Sequence, residues 1–377
     1  MQQSQPKVII IGAGIGGLAA AIALQRHAIP VQVFERAKAL EVIGSGLSLW
    51  PNALRALELL GLQSALACVS RPMAAGAIYR WDGRVLLDPH ATDARLMPIG
   101  IHRADLQALL LAALDQAQLQ LGAECMRVEQ STSHVTAHFA DGQAVQADAL
   151  IAADGIHSHI RSQLYGQQAL RYAGYTAWRG VAHFDHALLK TGETWGAGRR
   201  FGCIPLFDDR VYWFATANAP AGQRAAEGEK PGLLQDFGNW HAPIPALIEA
   251  TPPEAILRTD IADRAPLMHW SKGRITLLGD AAHPMTPNLG QGACQALEDA
   301  VVLARCLAQH SDVVVALRQY ESLRIARSSA IVRQSRQLGW VGQWQHPWAV
   351  RVRELLLRST PPAVQLRQIE RVVLAEL

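Results

Sequence analysis

Four glycines near the start of the chain stand between a strand-forming and a helix-forming segment. They occur in Gly-Ala-Gly-Ile-Gly-Gly at residues 12–17, directly after the β-branched run Lys7–Ile11. A helix N-terminus presents free N–H groups and the positive end of the helix dipole, which favour anions. In this arrangement Gly12 permits the sharp turn, Gly14 allows a pyrophosphate to approach, and Gly17 lets the helix pack on the strand.

An acidic residue at the end of the next predicted strand extends this pattern. The strand is Val31–Phe34, and Glu35 follows it, eighteen residues beyond Gly17. At this distance a carboxylate is expected to meet the ribose hydroxyls of an adenosine. Strand, turn, helix, strand and acid together predict dinucleotide binding, but they do not distinguish NAD from FAD.

The uncharged run Val8–Leu24 also resembles the apolar segment of a signal peptide, because a single lysine precedes it. Four glycines interrupt the run, and it is shorter than the ~20 apolar residues that span a bilayer. A phosphate-binding turn explains these glycines, whereas a signal peptide leaves them unexplained.

Two later segments repeat the pattern of a strand followed by an acid. Ala147–Ala153 predicts a buried strand that ends at Asp154. Arg274–Leu278 predicts another strand, followed by Asp280, a glycine turn at 290–292 and a predicted helix. The second of these acids is therefore expected beside a helix N-terminus.

With these motifs the sequence resembles the single-component (class A) flavoprotein monooxygenases that hydroxylate aromatic rings, typified by para-hydroxybenzoate hydroxylase. Zeaxanthin epoxidase-like proteins are similar to it as well. The resemblance covers about residues 7–340, and three motifs carry it: Gly12–Gly17 with Glu35, Ala153-Asp154-Gly155, and Gly279–Gly292. It implies FAD as the cofactor and NADH or NADPH as the co-substrate.

The resemblance also implies where individual residues lie around FAD. Asp280 would hydrogen-bond the ribityl chain, while Arg103 and Arg36 would lie along the pyrophosphate and adenosine side. Asp154 would lie near the path of the nicotinamide donor, and Pro287 beside the reactive C4a carbon. The predicted cofactor-binding residues are Gly12, Gly14, Ile15, Gly17, Glu35, Arg36, Ser45, Gly46, Arg103, Val128, Asp154, Asp280, Pro287, Gly290, Gln291, Gly292 and Ala293.

The reaction implied is hydroxylation of a small aromatic or N-heterocyclic substrate by O2 through a C4a-hydroperoxyflavin, with the chemistry belonging mainly to the cofactor. No further nicotinamide-binding GxGxxG follows residue 17, which suits a donor that visits the flavin transiently. Alternatives on the same scaffold are an epoxidase or other FAD oxidoreductase, and a non-catalytic carrier of the Rab escort-like type. A flavin halogenase is disfavoured because no WxWxI segment is present.

A strand-rich region between residues 171 and 263 is the predicted substrate region, with a hairpin signal at Asp208-Asp209. Its aromatic side chains and arginines could form a ring-shaped pocket with a cationic handle. These residues are Trp178, Arg179, Trp195, Arg200, Phe201, Tyr212 and Trp213.

Similarity to urate hydroxylases favours two members of this set. Those relatives place an arginine and a tyrosine on matching strands, which selects Arg200 and Tyr212. With Arg179 and Pro287 they make the predicted catalytic set. The urate hydroxylases carry an aspartate where this chain has Asn288, so the resemblance does not point to urate itself.

The predicted fold is α/β, with a Rossmann-like FAD-binding domain interleaved with a smaller, sheet-rich substrate domain. A chain of 377 residues exceeds what a single core usually covers. The predicted boundaries are 1–72, 98–170 and 264–340 for the FAD-binding domain, 73–97 and 171–263 for the substrate domain, and 341–377 for a C-terminal helical tail.

Composition excludes some classes of function. A formal charge of +3 with no Lys/Arg run among aromatics argues against nucleic acid. The five cysteines contain no CxxC pair, which favours a reduced, cytoplasmic chain. The expected oligomeric state is a monomer or a homodimer. His134 and His138 could share a helical face as metal ligands, but residues 134–139 alternate like a hairpin strand, so no metal is predicted.

The tail from Val313 onward is helical in pattern and rich in arginine. A solvated basic face is the ordinary interpretation. Trp340, Trp344 and Trp348 follow a four-residue spacing, which keeps open an amphipathic patch that contacts a membrane or a partner. Pro347 interrupts this spacing, so the tryptophans could belong to two elements.

Overall fold

The computed structural model describes residues 5–40, 45–74, 76–88, 94–115 and 118–374. It is a mixed α/β structure with four sheets, a Rossmann-like parallel sheet among them, and a helical C-terminal segment. The predicted fold class is therefore confirmed.

The first sheet has six strands, and their bounds are β1 Val8–Ile11, β2 Val31–Glu35, β8 Leu119–Leu121, β12 Ala149–Ala152, β18 Ser271–Lys272 and β19 Ile275–Leu277. In the order β18-β19-β12-β1-β2-β8, all neighbours are parallel except β18 and β19. The carboxyl ends of β1, β2, β12 and β19 therefore share one edge, where a doubly wound sheet binds its ligand. The motif residues at this edge are Gly12, Glu35, Asp154 and Asp280.

Three helices are layered on this sheet: α1 Ile15–Arg26 packs on β1 and β2, α8 Gly292–Gln309 packs on α1, and α9 Val313–Gly342 packs on α8. α1 is buried along most of its length, which explains its alanine-rich sequence. A Cβ at Gly16 would lie 2.7 Å from the Leu278 side chain and 3.2 Å from Ala296 Cβ. The glycine thus lets α1 and α8 pack closely at the ligand edge.

The second sheet has seven strands, and their bounds are β5 Ala77–Arg80, β6 Val85–Leu87, β13 Arg171–His183, β14 Gly192–Trp195, β15 Arg199–Pro205, β16 Arg210–Asn218 and β17 Leu257–Asp263. Their order is β17-β13-β16-β15-β14-β5-β6, and every pair is antiparallel except β14 with β5. Asp208 and Asp209 have positive φ between β15 and β16, which confirms the hairpin predicted there. The early strands β5 and β6 join the later ones, as the sequence predicts.

Two three-stranded antiparallel sheets and the remaining helices complete the fold. The sheets are β3 Gly46–Leu49, β7 Ile99–His102 and β4 Ser70–Pro72, and β9 Cys125–Gln130, β10 Val135–Phe139 and β11 Ala144–Ala147. The helices are α2 Pro51–Leu59, α3 Gln63–Ala67, α4 Arg103–Ala113, α5 His159–Tyr165, α6 Glu229–Phe237, α7 Ile244–Glu249, α10 Pro347–Ser359 and α11 Pro362–Val373.

The two faces of the seven-stranded sheet bury different side chains. Successive residues of a strand point to opposite faces, so Arg200 and Phe201 are separated. Phe201 stacks on Trp213 at 5.5 Å, in an apolar core with Phe237 and Ile248. Trp178 packs against the same core. The prediction that these three aromatics line a pocket is wrong, because the strand alternation places them on the core side.

The tryptophans of the C-terminal segment do not form one helical stripe. α9 ends at Gly342 and α10 begins at Pro347, so Trp344 lies between the helices. Proline at the first position of α10 prevents a continuous helix across this point. None of the described helices is long and apolar enough to cross a membrane.

Replacing Trp213 by Ala should lower the free energy of unfolding and leave cofactor binding unchanged. Trp213 is fully buried and donates its indole N–H to Thr251 Oγ1 at 2.8 Å. The lost packing is expected to cost about 3–5 kcal/mol in urea unfolding. Trp348→Ala is the matched control, because this exposed tryptophan should cost about 0.5 kcal/mol or less. Unchanged stability in Trp213→Ala would contradict its place in the core.

Candidate active site

The glycine turn after β1 is shaped by close backbone contacts and one open position. Gly12 has φ +106°, and a Cβ there would lie 2.4 Å from the Ala153 carbonyl oxygen. A Cβ at Gly17 would lie 1.9 Å from the Gly12 oxygen, whereas one at Gly14 would meet no atom within 4 Å. No side chain caps the N-terminus of α1. Its free N–H groups thus face an open glycine, as a bound diphosphate requires.

Glu35 is held beside this turn by two backbone N–H groups. Its Oε2 accepts from Ala13 at 2.8 Å, and its Oε1 accepts from Ala37 at 2.9 Å. Each carboxylate oxygen can accept a further hydrogen bond. The half-buried carboxylate is therefore oriented to accept from ribose hydroxyls while it braces the turn.

A second open helix N-terminus lies at the start of α8. Gly290 adopts the left-handed conformation, with φ +62°, and α8 begins two residues later. No side chain caps this helix, and a Cβ at Gly292 would meet no atom within 4 Å. The positive end of α8 can therefore face a group on which negative charge develops.

Asp280 follows β19 at the same edge of the sheet. Its side chain is exposed, yet the surrounding protein raises the pKa of its carboxyl by desolvation. The positive charges of His283 and Arg103 act in the opposite direction. Arg103 begins α4, and its backbone N–H donates to the Ser45 carbonyl at 2.8 Å. Asp280, Arg103 and Ser45 are therefore brought to one place from three distant parts of the chain.

A buried carboxylate anchors the Asp280 turn. Asp299 Oδ2 accepts from the Gly279 N–H at 3.1 Å and from His283 Nε2 at 2.6 Å. Its Oδ1 accepts from Arg324 Nε at 2.8 Å. Burial opposes ionisation of Asp299, but the charges of His283 and Arg324 outweigh it and lower the pKa to about 2. Asp299 thus fixes the turn to α8 and α9.

Glu298 extends this network toward the glycine turn at 290–292. It accepts from Arg324, Arg327 and Asn52, and Asn52 also donates to Gln291 Oε1 at 2.9 Å. Sequence reasoning missed Glu298 and Asp299. The available signal was a pair of adjacent acids at buried positions of an otherwise apolar helix, since such acids need partners.

Several buried polar atoms around this edge have no hydrogen-bond partner among the described residues. They are Asp154 Oδ1, Trp50 Nε1 and Gln291 Nε2. The Trp50 nitrogen lies 3.1 Å from where a Cβ of Gly290 would be. Buried polar groups normally find partners, so these atoms suit a ligand rich in donors and acceptors. Burial also raises the pKa of the Asp154 carboxyl.

The surroundings of the other predicted cofactor residues do not indicate how these residues would contact the cofactor. Ile15 is buried at the start of α1, Ala293 is half-buried in the first turn of α8, and Arg36 is exposed after β2. The N–H and carbonyl of Val128 are both bonded to the Gln163 side chain. The Val128 side chain is buried in the core, so its predicted contact with the cofactor stays a prediction.

Together these residues fit FAD. Two uncapped helix N-termini, two glycines without neighbours and three unpartnered polar atoms lie around the same sheet edge. A diphosphate suits the first N-terminus, and the electron-accepting edge of a flavin suits the second. FAD would supply the redox chemistry, and the chain would supply its binding and orientation.

Across from this edge, Arg200 lies on the inner face of the seven-stranded sheet. It is 2% exposed and donates through Nε to Gln343 at 2.9 Å and through NH2 to Asn288 at 2.6 Å. Its NH1 lies 3.5 Å from the Glu193 carboxylate. Protein groups therefore already surround the Arg200 guanidinium, and its role as a cationic handle for the substrate stays a prediction.

Asn288 connects Arg200 to the turn after Asp280. Its Oδ1 accepts from Arg200 and, at 3.1 Å, from the Tyr175 hydroxyl. Its Nδ2 donates to Thr286 Oγ1 and to the Ser335 carbonyl, both at 2.9 Å. Pro287 lies between Thr286 and Asn288 and is exposed. The amide therefore positions the turn that was predicted to flank the flavin.

Tyr212 and Arg179 form a second pair on the same sheet face. They lie on adjacent strands, and Arg179 hydrogen-bonds the Tyr212 hydroxyl. Burial raises the pKa of this phenol, with Arg179 acting in the opposite direction, so it is protonated at neutral pH. A Cβ at Gly46 would lie 2.5 Å from the Tyr212 ring. Gly46 therefore allows β3 to approach the Tyr212 ring.

Metal chemistry has no support from the arrangement of side chains. Within the described ranges, no three His, Cys, Asp or Glu side chains are grouped so that they could hold a metal ion. His134 and His138 flank or occupy β10, as the alternation of residues 134–139 predicts.

Asp299→Asn should weaken both the fold and FAD binding. The substitution leaves the buried Arg324 without one of its carboxylate partners, which is expected to cost about 3–5 kcal/mol in urea unfolding. FAD titration should show weaker binding, because the Gly279 turn loses its anchor. Asp312→Asn is the control: this exposed carboxylate caps α9, and asparagine caps helices about as well, so the change should cost about 0.5 kcal/mol or less. Equal FAD affinity in both variants would contradict the anchoring role.

The stabilisation from Asp299 should depend on pH in a defined direction. Its folded pKa of about 2 lies below the ordinary value of 3.8, so its contribution is present above pH 3.8 and is lost as the pH falls toward 2. The difference in unfolding free energy between wild type and Asp299→Asn should therefore shrink across this interval. A difference that stays constant down to the acid limit would contradict the depressed pKa.

Comparison with known proteins agrees with this site. A family model described as FAD binding domain matches residues 5–335. An aurachin C monooxygenase/isomerase from Stigmatella aurantiaca is 43% identical over 365 residues, which is 93% of each chain. A 2-heptyl-3-hydroxy-4(1H)-quinolone synthase from Pseudomonas aeruginosa is 34% identical and covers 97% of each chain. The crystal structure of Klebsiella pneumoniae HpxO complexed with FAD and uric acid has a TM-score of 0.89 at 32% identity, covering 98% of this chain and 97% of that one.

The resemblance inferred from the sequence motifs is therefore confirmed. Similar full-length proteins are named as monooxygenases and hydroxylases, so the epoxidase and carrier alternatives lack support. FAD is the cofactor, and NAD(P)H is the co-substrate typical of such enzymes. The chain belongs to the FAD-binding-domain family, as an FAD-dependent monooxygenase that hydroxylates a small aromatic or N-heterocyclic substrate.

Proposed function

We propose that the substrate is a neutral N-heteroaromatic ring that carries a ring N–H and a neighbouring oxygen, as a 4-quinolone does. The ring would lie between the flavin and the inner face of the seven-stranded sheet. The balance of charge around Arg200 carries this proposal.

Arg200 does not need an anion from the substrate. Its buried guanidinium has Glu193 at 3.5 Å and two side-chain amides as acceptors, at Asn288 and Gln343. A buried cation that is already paired offers little to a substrate carboxylate, which would also face the Glu193 charge. The charge balance therefore favours a substrate without a negative charge.

The Asn288 amide supports the same choice. A carboxylate at this position could still accept from Arg200, but it could not donate to Thr286 Oγ1 and the Ser335 carbonyl, as Nδ2 does. The surroundings of residue 288 are thus built for an amide, unlike the urate hydroxylase pattern with aspartate. Urate is therefore a poor candidate for this chain.

Arg179 and Tyr212 are the donors that we assign to the substrate oxygen. Arg179 is half-buried, and the protonated Tyr212 hydroxyl lies beside it on the same sheet face. A carbonyl or hydroxyl oxygen that accepts from both would hold the ring in one orientation. Bound FAD supplies electron transfer and oxygen activation.

The relatives support a heteroaromatic substrate. One is named for a 2-heptyl-3-hydroxy-4(1H)-quinolone, and the HpxO complex contains uric acid. Both are nitrogen heterocycles with ring N–H and carbonyl groups. We extend only this shared chemistry to the present chain, together with NADH or NADPH and O2 as co-substrates.

Substrate-dependent NAD(P)H oxidation tests the proposed class. A 4(1H)-quinolone should accelerate oxidation by the FAD-loaded enzyme and gain one oxygen atom from 18O2, as mass spectrometry would detect. Hydroxybenzoates, which carry a carboxylate, should accelerate it far less. Stimulation by hydroxybenzoates alone would overturn the neutral-substrate proposal, and quinolone returned unchanged would overturn hydroxylation.

Arg200→Ala tests the role of the sheet face. The change leaves Asn288 and Glu193 without their buried partner, and kcat/KM for substrate should fall by about a hundredfold through lost orientation. FAD absorbance should persist. Arg199→Ala is the matched control, because this neighbouring arginine points to the opposite face and pairs with Asp236 at 2.6 Å. Equal loss in both variants would contradict a specific role for Arg200.

A further inference from the structure

Helix α10 presents an exposed apolar face. We define the α10 stripe as Trp348, Val352, Leu355 and Leu356, whose exposed fractions are 68, 50, 65 and 59%. Their spacing of four, three and one residues places them on one side of the helix. Contiguous apolar exposure of this kind marks a surface that contacts a partner or a lipid.

The opposite side of α10 is firmly attached to the protein. Arg353 is buried and donates to the Gly342 carbonyl at 2.8 Å and to the Gly196 carbonyl at 2.9 Å. Its guanidinium carbon lies 5.3 Å from the Trp195 ring centroid. The stripe is therefore displayed by an anchored helix, whose inner side adjoins the sheet that carries Arg200.

The exposed charged side chains within residues 345–374 have a single sign. Between residues 345 and 374, the exposed charged side chains are Arg351, Arg358, Arg367 and Arg371. The acids in this range, Glu354 and Glu370, are half-buried, and Glu354 lies 3.6 Å from Arg80. Arg351 also lies over the Trp348 ring at 5.4 Å. Helix α10 thus combines an exposed apolar stripe with exposed arginines at positions 351 and 358.

We propose that α10 forms a docking surface for an anionic phospholipid bilayer. The α10 stripe would enter the headgroup region, with Trp348 at the level where amphipathic rings accumulate, and the arginines would meet lipid phosphates. The helix would lie along the membrane surface. This association does not depend on the identity of the hydroxylated substrate.

The positive charge of this surface favours an anionic bilayer over a second copy of the chain as its partner. Two α10 stripes packed against each other would bring two sets of exposed arginines together without exposed acids from the same segment. Like charges facing each other across an interface are unfavourable. Anionic headgroups supply the missing negative charge.

Vesicle sedimentation with the full-length, FAD-loaded protein tests the proposal. The protein should bind vesicles that contain phosphatidylglycerol and should not bind phosphatidylcholine alone. Binding should weaken in high salt, because the Debye length shortens. Leu355→Glu should reduce binding about tenfold or more, and Arg351→Gln with Arg358→Gln should reduce it on anionic vesicles.

Met268→Glu is the matched control, since this methionine is 82% exposed outside the tail. It should bind vesicles as wild type does, and FAD absorbance should show that every variant is folded. No binding of wild type to anionic vesicles would overturn the proposal, as would equal loss in Met268→Glu and Leu355→Glu. A dimer that Leu355→Glu converts to a monomer would assign the stripe to a second copy instead.

Discussion

The buried Asp299 carboxylate is the constraint on which the cofactor edge depends. It accepts from the Gly279 N–H, from His283 and from Arg324, and so it joins the turn after β19 to α8 and α9. Three partners around one carboxylate repay the cost of removing its charge from water. The position of the exposed Asp280 follows from the position of this turn.

Strand alternation in the seven-stranded sheet places residues that stabilise the fold on one face and residues proposed for substrate recognition on the other. Phe201 and Trp213 pack against α6 and α7, while Arg200 and Tyr212 lie on the other face, against Asn288 and Gly46 respectively. Adjacent residues in the same strand thus serve different purposes. A cluster of aromatics and arginines in the sequence becomes interpretable only when each residue is assigned to one of these faces.

Local spacing predicted the strand, turn and helix of the first motif because neighbouring residues decide those elements. Glu35, Asp154 and Asp280 could be placed at strand ends, and parallel pairing then brings them to one edge. The partners of Arg200 could not be foreseen, because Asn288 and Gln343 reach it from far along the chain. The prediction that aromatics of the substrate region line a pocket was wrong for the same reason, since their role depends on which elements cover each face of the sheet.

The close approach of Gly46 to Tyr212 couples two parts of the site that the chain order keeps apart. Gly46 begins β3, and a Cβ at residue 46 would lie 2.5 Å from both Cβ and Cγ of Tyr212. Shortening Tyr212 opens a gap against β3, but residue 46 could not fill it, because the Cβ that any residue other than glycine keeps at position 212 would still lie too close. Laboratory evolution that shortens Tyr212 must therefore keep glycine at position 46.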